Sequence, residues 1–391
     1  MSVDRTGPLA GVRVLELAGI GPIQLGCMLL ADLGAEVVRI ERPGGHVYGP
    51  PERDVAHRSR PSIVINLQTA AGAETVLRMA ETADVLIEAF RPGVAERLGV
   101  GPQVCARRNG ALIYARMTGW GQQGPLAARA GHDITYLAVT GALSSIGRAG
   151  QPPVPPLNLV ADFGGGAMFL VVGVLAALLE RERSGEGQVI DAAMVDGASY
   201  LMSMVYSGYA SGLWRNERGA NLVDGGAPFY DTYECADGKY VAVGAMEAQF
   251  FEQLVTALGL TGVPAQHDRA GWPAMRRLFE AAFRSRPRDD WAEVFADVDG
   301  CVAPVLDLAE APADAHLAAR GTFTEAFGVI QPEPAPRMSR TPGRIQSGPT
   351  EPGADSIDVL RTWGFDRADI DRLIADGVVR QPESAHIRER T

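Results

Sequence analysis

The stretch VRVLELAGIGPIQLGCMLLADLGAEVVRIER, residues 12–42, decides the fold. Its ends, VRVLELA (12–18) and EVVRIER (36–42), are rich in Val, Ile and Leu and read as strands, while Ile23–Leu33 between them carries a helical pattern. A helix between two strands is the crossover a parallel pair needs, whereas an antiparallel pair can be joined by a tight turn. The alternation continues through PSIVINL (61–67), a helical Ala70–Thr82, DVLIEAF (84–90) and ALIYARMTG (111–119). It predicts an α/β domain with a mostly parallel sheet. Ligands of such sheets bind beyond the carboxyl ends of the strands.

Further along, a Pro-rich loop (150–158) precedes a long helix over 165–183 and a strand at VIDAAMV (189–195). A mostly apolar helical stretch then runs to about Trp214. FYDTYECADGKYVAVGA (229–245) alternates in strand fashion about Asp237-Gly238 and predicts a hairpin. It marks a smaller domain. The expected organisation is a large domain over 1–215, a small α+β domain over 216–325, and a C-terminal segment over 326–391 that returns to the large one. In that segment 331–353 is Pro/Gly-rich and extended, and 366–379 is a final helix.

Composition narrows the chemistry. With 391 residues, 46% of them hydrophobic, the chain can bury a large core. No run approaches the roughly 18 uninterrupted apolar residues of a membrane span. MSVDRTGPLAG lacks the pattern of a secretory leader, and HIRERT is not a known address. A net charge of −11 argues against nucleic-acid or anionic-membrane partners. The cysteines Cys27, Cys105, Cys235 and Cys301 show no metal or disulfide spacing, so a reducing cytoplasm is expected. Lys239 is the only lysine and sits in the hairpin turn, so no P-loop is present. GWGQQG (119–124) follows a strand, but Pro125 comes next and no helix clearly starts. GIGPIQLG (19–26) has the wrong glycine spacing. Neither is a nicotinamide site.

Acidic or imidazole residues stand out at three places in the chain. His132 and Asp133 lie at the mouth of the apolar run in RAGHDITYLAVTGAL (129–143), where simple helix capping is one reading. Asp162 precedes three glycines (164–166) and the long helix, which again reads as an N-cap. Three glycines exceed what a cap needs, and they allow close approach to the backbone. With the positive end of a helix and a carboxylate beside it, the place suits a developing oxyanion. Glu247 follows the hairpin and opens a helix, which alone means little. Arg39, Arg42, Arg53, Arg58, Arg60, Arg91 and Arg97 flank the strand-like runs. They read either as a solvated face or, for Arg39, Arg42 and Arg91 near strand carboxyl ends, as partners of a phosphorylated ligand. Met117, Met168, Met194, Met202, Met204 and Met246 lie near these motifs, as core filling or as an adaptable apolar surface.

Taken in order over about residues 8–305, RVLELAGIGP, ADLGAEVVRIERPGG, DVLIEAFRPGVAERLG, AGHDITYLAVTGAL, LNLVADFGGGAMF and FYDTYECADGKYVAVGAMEAQF resemble the family III CoA-transferases. Within that superfamily they resemble the α-methylacyl-CoA racemases. The resemblance implies a Rossmann-like large domain, a small domain and an interlocked homodimer with active sites between subunits. It implies interconversion of 2R- and 2S-2-methylacyl-CoA by two-base proton transfer through an enolate. His132 and Asp162 would be the bases, and Glu247 the partner that orients His132. No metal or organic cofactor is implied, since coenzyme A is part of the substrate. CoA contacts would fall on Arg42, Ile65, Asn66, Leu67, Gln68, Ala89, Phe90, Arg91, Arg97, Gly131, Asp133, Ile134, Thr135 and Tyr136. Where related racemases read L-D-L-K this chain has INLQ, so Asn66 replaces an acid and Gln68 a base. The alternatives are a CoA-transferase with Asp162 as nucleophile and a non-catalytic acyl-CoA-binding protein.

Overall fold

A computed structural model describes residues 6–17, 19–45 and 49–382. HIRERT at 386–391 lies outside them. The chain divides into two compact units. One gathers Met1–Leu137, Leu157–Leu201 and His316–Thr391, and the other Ala138–Pro156 and Met202–Ala315. The second unit thus takes in 138–156 and 202–215, which the expected boundaries give to the large domain, while 316–325, expected in the small domain, belongs to the first unit.

The first unit is built on a seven-stranded sheet. Its strands are β1 (Arg13–Leu17), β2 (Glu36–Glu41), β3 (Ser62–Ile65), β4 (Val85–Glu88), β5 (Ile113–Thr118) and β6 (Val189–Ala193), with one further strand near the C-terminus. The spatial order of the six is β3-β2-β1-β4-β5-β6, and every pair among them is parallel. β3, β4 and β5 are buried along their whole length, as expected where helices cover both faces of a parallel sheet. The helix Pro22–Asp32 makes the first crossover and Ala70–Ala80 another. Strand order reverses between β1 and β4, and the loops that leave these two strands splay apart there.

The sequence from 331 onward does return to this unit. Arg344 donates its N–H to Asp32 O at 2.8 Å, Ser59 donates to Ser347 O at 3.0 Å, and Arg39 Nη2 reaches Thr350 O at 3.1 Å. The last helix is Arg367–Ala375. The chain then adds the seventh strand, Val379–Arg380, antiparallel to β3. Two residues are too few to show a strand pattern in sequence.

One long helix, Leu159–Ser184, lies between β5 and β6 in sequence. Its first nine residues, Leu159–Ala167, are wound as a π-helix, and Met168–Ser184 as an α-helix. An 18-residue window in it averages a hydropathy of 2.0, so among the described residues this helix is long and apolar enough to cross a membrane by length and composition. Its Val172 and Leu179 are more than 60% exposed.

The second unit holds a three-stranded antiparallel sheet made of β7 (Tyr230–Glu234), β8 (Tyr240–Gly244) and β9 (Val302–Pro304). The hairpin pairs Glu234 with Tyr240 around the expected turn. Its core is aromatic: Phe229, Tyr233, Phe279, Phe283 and Trp291 are buried, with the Tyr233 and Phe283 rings stacked 5.2 Å apart.

Candidate active site

A cavity of about 1080 Å³ opens in the first unit beyond the carboxyl ends of β1–β4. It sits at the top of the usual range of roughly 300–1,000 Å³ for small-molecule sites, so a ligand of cofactor size fits. Gly19 and Ile20 line it after β1, Arg42–Gly45 after β2, Asn66–Gln68 after β3, and Ala89 and Phe90 after β4. Ile65 contributes the end of β3. Asn66 has a local task as well, since its Oδ1 accepts the Gln68 N–H at 3.1 Å and shapes the turn. Arg91 and Arg97 are exposed but do not line this cavity, and Arg97 lies back over Gly93.

The arginines near the strands separate by burial. Arg60 is wholly buried and paired with Glu16, itself wholly buried. Arg58 pairs with Asp32 at 2.6 Å and donates to Gln331 and Pro332. Arg39 lines the cavity but is buried against Glu41 and donates to Thr350 O. These three are structural. Arg42 is exposed at the cavity, and a second exposed arginine, Arg380, joins it from the C-terminal strand. Arg380 carried no signal in sequence because its place depends on a strand pairing across the chain.

The segments 132–136 and 158–162 meet in the same unit. Asp133, buried, accepts the N–H groups of Ala161 and Asp162 on Oδ2, each at 2.8 Å. That carboxylate caps the long helix from outside and fixes the backbone of Asp162. His132, exposed, precedes the helix Asp133–Val139, and Thr135 ties its backbone by accepting the His132 N–H at 2.9 Å. Asp162 is half-buried. Burial raises its carboxyl above the ordinary range and the charge of Asp133 adds to the rise, while a hydrogen bond from Asn158 and the nearness of His132 pull it down. Tyr136 is buried with its ring edge-on to Trp120 at 4.8 Å. Burial, Asp162 and Asp133 push its hydroxyl up to about 12, so it stays protonated. Gly119 and Gly131 make room for that ring, since a Cβ would come within 2.1 and 2.5 Å of it. Asn158, the N-cap residue, was not singled out from sequence, although Asn is a common cap residue.

The structure differs from two sequence expectations. Asp162 does not cap a helix, because it lies inside Leu159–Ala167, with Asn158 at the cap position. The glycines after it face protein rather than a ligand. A Cβ on Gly165 would stand 2.6 Å from Ala198 N, and one on Gly197 only 1.8 Å from Gly165 O. The helix Met194–Leu201 therefore crosses the long helix backbone to backbone. The N–H groups of Ala161 and Asp162 are taken by Asp133, so they are not free to receive an oxyanion. The first-turn N–H groups of Asp133 and Ile134 have no acceptor among the described residues.

Glu247 belongs to the second unit, where it is the N-cap residue of Ala248–Ala257, is exposed, and acts on the nearby Cys301. Lys239 pairs with Glu310 at 2.8 Å. Met117 and Met194 are buried core residues, whereas Met204 is 87% exposed. Among the described residues no group of His, Cys, Asp and Glu could hold a metal ion.

Comparison with known proteins agrees with this architecture. The model of CoA-transferase family III matches residues 9–356. The chain is 45% identical to the α-methylacyl-CoA racemase of Mus musculus, over 95% of this chain and 97% of that one. It is 43% identical to the human α-methylacyl-CoA racemase, with the same coverage. A CAIB/BAIF family protein from Brucella suis superposes with a TM-score of 0.79 at 27% identity, covering 92% of this chain and all of that structure. Matched across its length by sequence and by fold, the chain belongs to CoA-transferase family III.

Proposed function

We propose that the protein is an isomerase that interconverts 2R- and 2S-2-methylacyl-CoA thioesters. The racemase names of the two mammalian relatives support this activity. One structural observation carries it: the Asp133 carboxylate holds the backbone of Asp162 beside His132, so an imidazole and a carboxylate share one place. Inversion at an α-carbon needs one base on each face. Unperturbed His and Asp titrate near about 6.5 and 3.9, far below a carbon acid. The raised proton affinity of Asp162 helps, but the enolate still has to be stabilised. With the N–H groups of Ala161 and Asp162 engaged, the thioester oxygen is assigned to the N–H groups of Asp133 and Ile134. Tyr136, Gly131 and Thr135 shape this place, and Glu247 orients the His132 imidazole and stabilises its protonated form. The CoA moiety occupies the 1080 Å³ cavity, with Arg42 and Arg380 at its phosphates.

The enzyme works as an interlocked homodimer. The exposed apolar face of Leu159–Ser184, with Tyr200 and Leu201 also exposed, is the surface a second copy covers. Glu247 comes from the partner. No metal, nicotinamide or pyridoxal phosphate takes part. The second reading, CoA transfer through an anhydride at Asp162, has no task for His132. Loss of α-deuterium from a 2-methylacyl-CoA without any carboxylate acceptor tests the proposal. CoA transfer to an added carboxylate acceptor with the α-deuterium retained would favour the transferase.

A further inference from the structure

A chain of contacts runs from the wall of the CoA cavity to Asp162. Gly21 donates its N–H to Gln24 Oε1 at 3.2 Å, and Gln24 returns its own N–H to Gly21 O at 3.1 Å. With Oε1 engaged, the Gln24 group that meets His57 Nε2, at 2.8 Å, is the amide NH₂. An NH₂ group only donates, so Nε2 of His57 is the bare, accepting nitrogen. The imidazole proton therefore sits on Nδ1, which stands 3.3 Å from Asp54 Oδ2. His57 is held neutral in one tautomer. Burial, followed by the charges of Arg39 and Arg60, lowers it to about 3 in agreement.

At the other end of this chain, Gly21 adopts φ 72° and faces the base. A Cβ there would stand 3.5 Å from Asp162 Oδ2. Pro22 is seated on Gly166, one turn along the helix from Asp162, where a Cβ would lie 3.1 Å from the proline ring. The turn at 19–22 thus forms one wall of the carboxylate's surroundings.

We propose that His57 and Gln24 are positioning residues that clamp the Gly21 turn against Asp162, exclude water from one edge of its carboxylate, and so set the pH range in which it works as a base. This rests on the reading of Asp162 as a base. The other groups facing it are Asp133, His132, Tyr136 and Asn158, whereas the Gln24 side chain is hydrogen-bonded to Gly21 and His57. Burial is the largest influence on Asp162 and raises it. Releasing the turn admits water and moves the carboxyl back toward about 3.9.

The test is solvent-deuterium exchange into pure 2R- and 2S-thioesters across pH. Wild type is compared with Gln24→Ala, His57→Ala and His57→Gln. Both alanine variants should move the acid limb to lower pH for one epimer only and slow its neutral-pH exchange on the order of tenfold. The limb of the other epimer, served by His132, should stay in place. His57→Gln should restore the wild-type profile, because its Oε1 can accept from Gln24. In wild type, ¹⁵N spectra of His57 should show a bare Nε2 and no titration near its ordinary value. Equal shifts for both epimers, no shift in either, failure of the glutamine rescue, or an imidazole titrating near about 6.5 would overturn the proposal. Should the alanine variants not fold, His57→Gln and the imidazole spectrum still decide. Absence of exchange in wild type would instead remove the base reading of Asp162, and the spectrum would still judge the clamp.

Discussion

The two units each carry a cavity with arginines in its wall, and the arginines do opposite things. In the second unit, Arg148, Arg215, Arg269, Arg276, Arg277 and Arg284 line a cavity of about 720 Å³. Arg148 and Arg276 close on the buried carboxylate of Asp231, Arg269 donates to Ala220 O and lies over Trp272, and Arg284 meets Glu234 at 3.1 Å. Four of these six arginines are thus engaged within the protein. The cavity of the first unit holds fewer arginines, but Arg42 and Arg380 face it exposed, and strand ends and loops supply the rest. Counting guanidinium groups ranks the cavities one way; asking which are already engaged ranks them the other. The same distinction separates buried Arg58 and Arg60 from exposed Arg42 along one stretch of chain.

The sharpest way to break this contrast is at His132 and Asp162, the proposed bases of the first unit. His132→Ala and Asp162→Asn should each lower racemisation by at least roughly 10²–10⁴-fold. Each should keep single-epimer exchange better than racemisation, with opposite epimer preference, read by proton NMR in deuterated water. Equal loss for both epimers in folded protein would deny the two-base assignment. Next in size, Arg60→Met strands the buried charge of Glu16 and should cost about 3–5 kcal/mol in urea unfolding, as a lost buried partner does. A change below about 1 kcal/mol would mean that the buried pair contributes little to the fold.

In the second unit, Asp231→Ala should cost about 1–3 kcal/mol, less than the Arg60 change because Arg148 and Arg276 are partly exposed and can turn to water. Arg42→Ala or Arg380→Ala should raise KM for the thioester about tenfold, near 1.4 kcal/mol, with kcat nearly unchanged and a shallower salt dependence. Smallest of all, Arg277→Ala should leave KM alone and stability within about 0.5 kcal/mol. If Arg277→Ala raised KM as much as Arg42→Ala, the second cavity would be the CoA site.

Much of this was legible in sequence where the signal is local. The six parallel strands announce themselves as Val/Ile/Leu runs because both their faces are buried, and the hairpin through its Asp237-Gly238 turn. Most of the cavity wall follows from the rule that ligands sit beyond strand ends, and His132, Asp133 and Asp162 were singled out on residue type. What failed depends on partners far along the chain. The glycines after Asp162 invited a ligand, yet their neighbours are Met194 and Ala198. Asp162 resembled a cap because nothing nearby shows that Asp133 does that work from another segment. Arg380 needed β3 to bring it in, and His57 and Gln24 matter only through a contact across thirty-three positions.

The crossing at Gly165 and Gly197 has one more consequence. Where helices meet through side chains, rotamer changes let one slide on the other as temperature or a neighbouring core residue changes. Here a carbonyl lies against an α-carbon, where a methyl group would come within 1.8 Å of oxygen, and no rotamer exists to absorb a displacement. Asp162, the proposed base three residues away, is therefore referenced to main chain, the stiffest material available. Its aim should drift little with warming or with substitutions in the surrounding core, so the machinery most sensitive to misplacement is anchored at the point least able to move.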